Sequence, residues 1–354
     1  MHFAKICPEE EAAPAMSEAE KARAWVRVLA TYRDPSTARS LFELAATAIP
    51  FFALWAIAWG LLTIHPLLAL PPALLNGFFL VRLFTIQHDC GHGAFFNSRF
   101  VNDWLGRGLG VLTLTPYDVW KRSHAIHHAG SGNLDQRGIG DVNTLTVAEY
   151  RALSPFGRLR YRAYRHPLVL FGVGPAWLFL WENRLSYGPP GACRKTKRNL
   201  HLTNFGIAAM LIGLFVLGGW KLLVLVFLPT ALLAATLGVW LFYVQHQFEE
   251  THWEGDPDWQ LHEAALHGSS HYVMPSVLQW LTANIGIHHV HHLYSRIPFY
   301  RLPEVLRDHA ELADAQRLTI RESFACARFH LWDQQQRRLM SFREARRLYG
   351  PIPA

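Results

Sequence analysis

The chain carries 20 histidines, and eight of them fall into three tight groups. His88 and His92 bracket the string His-Asp-Cys-Gly-His; His124, His127 and His128 lie in His-Ala-Ile-His-His; His288, His291 and His292 lie in His-His-Val-His-His. Residues three or four apart share a helix face, so the rings of each group can aim at one spot. Neutral imidazole is a good ligand for Fe, Zn, Cu and Ni. A single His-x-x-x-His pair is weak evidence, because such pairs are often surface or capping histidines. Three groups are another matter. Eight rings are too many for one ion with open positions, and two ions sharing them is the natural count. His246, in Tyr-Val-Gln-His-Gln-Phe-Glu, is placed to be a ninth ligand. A metal-bound ring usually needs its other N–H held by a carboxylate or carbonyl, and Asp89 and Asp141 are candidate acceptors.

The other histidines read differently. His289 points off the face shared by His288, His291 and His292, which favours a supporting or surface role. His267 and His271 are four apart, but Gly268, Ser269 and Ser270 between them weaken a helix; they could line the site or a substrate path. His252 and His262 look like loop or surface residues. His2, His65, His166, His201, His309 and His330 have no partner at useful spacing.

The elements that must position these rings are apolar. Of 354 residues, 51% are hydrophobic, 13% aromatic and only 17% charged, where an ordinary soluble chain has about 25% charged residues. From Ala45 to Ile86 there is no acidic residue and one basic residue, Arg82; from Leu202 to Gln245 the only charge is Lys221. Each tract holds two passes of about 20 residues, with breaks at His65-Pro66 and at Gly218-Gly219-Trp220-Lys221. Four spans are expected, roughly 44–64, 67–87, 202–219 and 222–245, in two helical hairpins. Buried helices of a soluble protein would need another layer to cover them. Arg82 is expected near the end of the second span, close to the polar side.

All other Lys and Arg residues, of 34 in the chain, lie in the N-terminal, middle and C-terminal segments. Two hairpins put these three segments on one side, and the positive-inside rule makes that side cytoplasmic. The net charge of +7 then reads as membrane topology and attraction to anionic lipid; no basic nucleic-acid motif accompanies it. The first 40 residues show no apolar core of signal-peptide type. Cys7, Cys90, Cys193 and Cys326 are scattered, without a Cys-x-x-Cys pair, which fits reduced thiols rather than a disulfide framework.

A polar N-terminal helix is expected at about 16–33, polar segments at about 88–200 and 246–354, and a loop at Gly188-Pro189-Pro190-Gly191. Leu105–Leu114 and Pro167–Trp181 are apolar but short, and suit helices lying in the membrane interface. No strong alternating strand signal is present. The fold expected is therefore all-α: an integral membrane protein with four transmembrane helices in two hairpins and a cytoplasmic helical cap holding the metal site.

In these motifs the chain resembles the membrane fatty acid desaturase family. His88-Asp-Cys-Gly-His92-Gly-Ala-Phe-Phe is similar to that family's first histidine box. Pro116-Tyr-Asp-Val-Trp120-Lys-Arg-Ser-His124-Ala-Ile-His127-His128 is similar to the second, and Asn284-Ile-Gly-Ile-His288-His-Val-His291-His292 to the third. The lead-ins most resemble bacterial acyl-lipid desaturases of the delta-twelve or omega type. Box order, gaps and hairpins agree over most of the chain, which divides the expected domains into an N-terminal cytoplasmic segment 1–43, a desaturase domain 44–305 and a C-terminal cytoplasmic tail 306–354.

The resemblance implies two non-haem Fe ions held by His88, His92, His124, His127, His128, His246, His288, His291 and His292. It implies O2 as co-substrate and a membrane lipid acyl chain as substrate: an unactivated methylene offers no acid, base or leaving group, so an oxidant generated at a metal is needed. It further implies a bacterial inner membrane with the boxes on the cytoplasmic side. No His-Pro-Gly-Gly motif of a fused b-type cytochrome is present, so electrons are expected from an external donor, a ferredoxin or a b-type cytochrome with its reductase. The third box starts with His288 rather than Gln, which argues against the front-end desaturases. A membrane di-iron hydroxylase, acetylenase or ketolase would use the same boxes. A zinc peptidase would show His-Glu-x-x-His, which is absent, and a transporter would place ionisable groups inside its spans.

Overall fold

The computed structural model describes residues 17–189 and 191–351; His2, Cys7 and Pro190 lie outside the described residues. Among the described residues, three helices are long and apolar enough to cross a membrane: Thr37–Leu62, Pro66–His92 and Arg194–His246. The first is started by Ser36, whose side chain accepts from the Arg39 amide and so satisfies one of the free N–H groups of the first turn. The second stops immediately after His92, at Gly93, which takes a left-handed conformation with φ 67° that costs a glycine little. The third contains Gly219 at φ 65° and ψ −165°, a conformation essentially restricted to glycine. It therefore consists of two arms, 194–218 and 220–246, joined at the break expected from the sequence. The helix Pro66–His92 packs against both Thr37–Leu62 and Leu228–His246. Asn76 Nδ2 donates to Phe51 O at 3.0 Å, and Thr230 Oγ1 donates to Ala73 O at 2.8 Å, tying the three elements together. The outward faces carry Phe42, Ile49 and Phe52 on the first helix and Ile212, Phe215 and Val216 on the third, all exposed, as helices surrounded by hydrocarbon require.

The two short apolar stretches are helical. Arg99–Leu112 exposes Phe100 and Trp104. Residues 169–185 run as one wide helical segment that exposes Val173, Trp177 and Trp181. That segment is held to the third long helix by Phe171, whose ring lies 4.9 Å from Trp240 and 5.1 Å from Tyr243.

One expectation needs correction. The fold is mostly helical but not all-α. Leu145–Thr146, Leu331–Asp333 and Arg338–Met340 form one small sheet, and His271–Val273 pairs in parallel with Arg317–Thr319. Strands of two or three residues are too short for an alternating pattern to register, and their partners lie far away in sequence. Arg82 is packed within the helices. It is 1% exposed, as is Glu43, and the two form a buried ion pair. Arg82 Nε also donates to Thr47 Oγ1 at 2.9 Å, its NH1 donates to Trp280 O, and its guanidinium lies 4.2 Å from the Trp280 ring centre. Glu43 stands just before the acid-free tract, one and a bit helical turns from Thr47, so the cation is neutralised within the packed helices.

Candidate metal centre

Four elements bring the histidines together. His88 and His92 occupy the last turn of Pro66–His92, and His246 ends the third long helix. His124, His127 and His128 lie on the helix Tyr117–Gly130, and His288, His291 and His292 on the helix His288–Leu293. That last short helix is anchored at its start: His288 N donates to Ser270 O at 3.2 Å, and Tyr272 N to Gly286 O at 2.7 Å. Phe299 N donates to Asp89 Oδ2 at 2.7 Å, which ties the same segment to the helix carrying the first pair.

The nine rings form two groups. His88, His92, His124, His128 and His291 make the first, and His127, His246, His288 and His292 the second; within each, the ligand nitrogens lie within 4.8 Å of one another. The sequence spacing put His124, His127 and His128 on one spot, and likewise His288, His291 and His292. The structure divides them instead: His124 and His128 serve the first group and His127 the second, while His288 and His292 serve the second and His291 the first. Neighbouring helical residues diverge by about 100°, so a His-His dipeptide reaches two centres. The groups abut where the rings of His128 and His292 stack, 4.1 Å apart and 13° from parallel.

The nitrogen geometry is that of ligands around a cation. In the first group Nε2 of His124 lies 3.0 Å from that of His92 and 3.1 Å from that of His128, which lies 3.1 Å from that of His291. In the second, Nε2 of His246 lies 3.2 Å from that of His127 and 3.0 Å from that of His288, which lies 3.1 Å from that of His292. A neutral imidazole nitrogen either donates one proton or accepts one, so in each chain of three contacts at most two can be hydrogen bonds. His127 and His246 sharpen this. His127 Nδ1 donates to Asp141 Oδ1 at 2.5 Å, and His246 Nδ1 donates to Gly268 O at 3.2 Å. Both Nε2 atoms are then bare lone pairs facing each other, which is repulsive unless a cation lies between them. Two imidazole nitrogens each about 2.1 Å from a shared ion, at right angles, would be about 3.0 Å apart. His88 Nε2 is buried with no hydrogen-bond partner, while its Nδ1 lies 3.3 Å from Asp89 Oδ1.

Burial holds the His124, His128, His288, His291 and His292 imidazoles well below the ordinary histidine pKa, with neighbouring rings pushing the same way. They therefore stay neutral, the form that binds metal. The Trp120 ring stacks on His124 at 4.6 Å and 17° and fixes its plane.

The remaining histidines stand apart from both groups. His289 is fully buried, and its Nε2 donates to Leu312 O at 2.8 Å; burial lowers its pKa to about 3. This is a supporting role and not a surface one. His271 Nδ1 donates to Ala313 O at 2.8 Å, and His267 Nδ1 meets Gln316 Nε2 at 3.2 Å. Sequence reasoning missed Gly268 O as the acceptor for His246, because a backbone carbonyl leaves no residue signal. It also missed the Trp120 stack and the Glu43–Arg82 pair, although an arginine alone in an apolar tract is itself a pointer to a buried partner.

Comparison with known proteins finds the same signature. The fatty acid desaturase family profile matches residues 64–324. A fatty acid desaturase of Bacillus subtilis is 42% identical over 335 residues, covering 95% of each chain. An sn-1 acyl-lipid omega-3 desaturase (ferredoxin) of Synechocystis is 30% identical over 65% of this chain and 64% of the relative. An sn-1 oleoyl-lipid 12-desaturase of Synechocystis is 26% identical over 80% of this chain and 75% of the relative.

Proposed function

The chain belongs to the fatty acid desaturase family, and from that premise we propose that its nine converging histidines hold two iron ions with which it inserts a double bond into the acyl chain of a membrane lipid. It is an oxidoreductase acting on lipid acyl chains. The observation that carries the metal reading is the pair of bare lone pairs, His127 Nε2 and His246 Nε2, held 3.2 Å apart by Nδ1 hydrogen bonds to Asp141 and Gly268. Iron is favoured over zinc because zinc has no redox chemistry, and an unactivated methylene yields only to an oxidant. When bound, the irons would supply that oxidising power from O2.

The chain's own residues do the rest. Asp141 and Gly268 O fix the tautomers of His127 and His246, so that Nε2 is the free ligand atom in each. The stacked Trp120 keeps His124 from rotating, and the His128–His292 stack sets one group against the other. Burial of the rings excludes bulk water, which protects a reactive oxidant from side reactions. The acyl chain approaches from the membrane side, along helices whose ends carry His88, His92 and His246.

In the same reading, the Gly219 break makes four spans in two hairpins, the polar segments form a cytoplasmic cap, and the chain resides in a bacterial inner membrane. The domain limits 1–43, 44–305 and 306–354 belong to this proposal. Two of the four electrons that reduce O2 come from an external donor, a ferredoxin or a b-type cytochrome with its reductase. The test is expression in a host that makes only saturated and monounsaturated lipids, followed by mass spectrometry of the acyl chains. A new double bond at one fixed position is expected; a hydroxylated chain in place of an alkene, or an unchanged lipid profile, contradicts the proposal.

A further inference from the structure

The helices Val147–Ala152, Pro155–Tyr164 and Phe342–Tyr349 wall a cleft of about 420 Å³ away from the histidines. Arg151, Arg158, Arg162 and Arg346 surround it, over the rings of Tyr150 and Phe342. Among the described residues, none of these arginines has a carboxylate within ion-pair distance. The nearby acids are engaged elsewhere, Glu149 by Arg137 and Glu344 by Arg338. The guanidinium groups are nevertheless held in place. Arg162 Nε donates to Tyr150 Oη at 2.6 Å and lies 4.8 Å from the Phe342 ring centre. Arg151 NH1 donates to Gly350 O at 3.0 Å, and Arg158 NH1 to Leu153 O at 2.8 Å. Four like charges around one cleft, three of them held in place, concentrate a positive potential that attracts and orients an anionic partner.

A run of contacts and sequence neighbours leads from the cleft toward the second histidine group. Phe342 stacks on His330 at 4.4 Å. Behind His330 lies the buried Arg165, which donates to Phe329 O at 2.8 Å, Gln247 Oε1 at 3.0 Å and Tyr243 Oη at 3.2 Å. Gln247 is the residue after His246. Exposed apolar residues lie on the cleft's own helix at Phe156 and Leu159, as well as farther along at Leu168, Val173, Trp177 and Trp181.

We propose that this arginine cleft is the docking surface for an acidic, soluble one-electron carrier protein. The inference rests on the desaturase reading above. Forming the alkene releases two electrons and two protons from the acyl chain. Reducing O2 to two waters takes four of each. The carrier therefore delivers two electrons, one per encounter, and solvent supplies the other two protons.

The test uses the full chain in phosphatidylcholine nanodiscs, titrated with an oxidised plant-type [2Fe–2S] ferredoxin as the acidic carrier. The Arg158→Glu/Arg346→Glu variant is expected to raise the ferredoxin Kd at least about tenfold at low salt and to flatten its salt dependence. Arg346→Glu alone, on an exposed helix face, should show part of the same loss and guards against a folding artefact. With iron-loaded enzyme, the KM for reduced ferredoxin should rise in parallel, while desaturation driven by photoreduced methyl viologen stays within about twofold of the parent. An unchanged ferredoxin Kd overturns the docking surface. So does an effect seen only when phosphatidylglycerol replaces phosphatidylcholine, which would assign the arginines to anionic lipid. Failure of the parent enzyme to desaturate with viologen would instead overturn the desaturase reading, and the Kd arm tells the two failures apart.

Discussion

Replacing either His291 or His127 by Ala abolishes double-bond formation, with product falling at least about a hundredfold below the parent. The two residues are chosen because they belong to different groups, His291 to the first and His127 to the second. Loss of a residue that only supports a ligand typically costs 10- to 100-fold in metal affinity or activity, roughly the floor for losing a ligand itself. Both rings are almost fully buried, so Ala leaves space but no replacement donor. His201→Ala, on an exposed stretch of the third long helix, should keep activity within about twofold of the parent, as surface substitutions away from special features do. The measurement is fatty acid analysis of cells expressing each variant at matched protein level. Normal product from His291→Ala or His127→Ala would remove that ring, and the group it belongs to, from the catalytic centre.

Replacing Glu43 by Ala destabilises the fold by about 3–5 kcal/mol, the usual cost of removing one partner of a buried ion pair. Glu43 and Arg82 are each 1% exposed, and without the carboxylate the guanidinium keeps only neutral partners, Thr47 and Trp280 O. The loss reaches the metal centre because Trp280 leads into the segment bearing His288, His291 and His292, which Asp89 also anchors through the Phe299 amide. The double variant Glu43→Ala/Arg82→Met removes both charges and should recover most of the stability, since an apolar pair in a packed interior is often as stable as the ion pair it replaces. Thermal unfolding in nanodiscs reads both effects. A single variant within about 1 kcal/mol of the parent would show that the pair is solvated and of little consequence.

Much of the centre was legible in the chain because eight of the nine imidazoles come with a neighbour three or four residues away, and helices display such neighbours together. His246 was readable from its place at the polar end of an apolar tract. The assignment of each ring to a group was not, because His127 and His128 are adjacent in sequence yet aim at different points, as do His291 and His292. The long helices and the break at Gly219 followed from hydropathy and glycine content. The short strands did not, because pairs such as Leu145–Leu331 depend on tertiary contact and leave no periodicity. The partner of Arg82 was not legible for a similar reason: Glu43 lies on another helix just outside the tract that defined the span.

The most direct test of the central claim is metal analysis of the purified, active protein with Mössbauer spectroscopy on 57Fe-grown material. Two iron ions per chain are expected, in two nitrogen-rich environments, because one group offers five imidazoles and the other four. Active enzyme with one iron per chain or none, or with zinc in both groups, would contradict it.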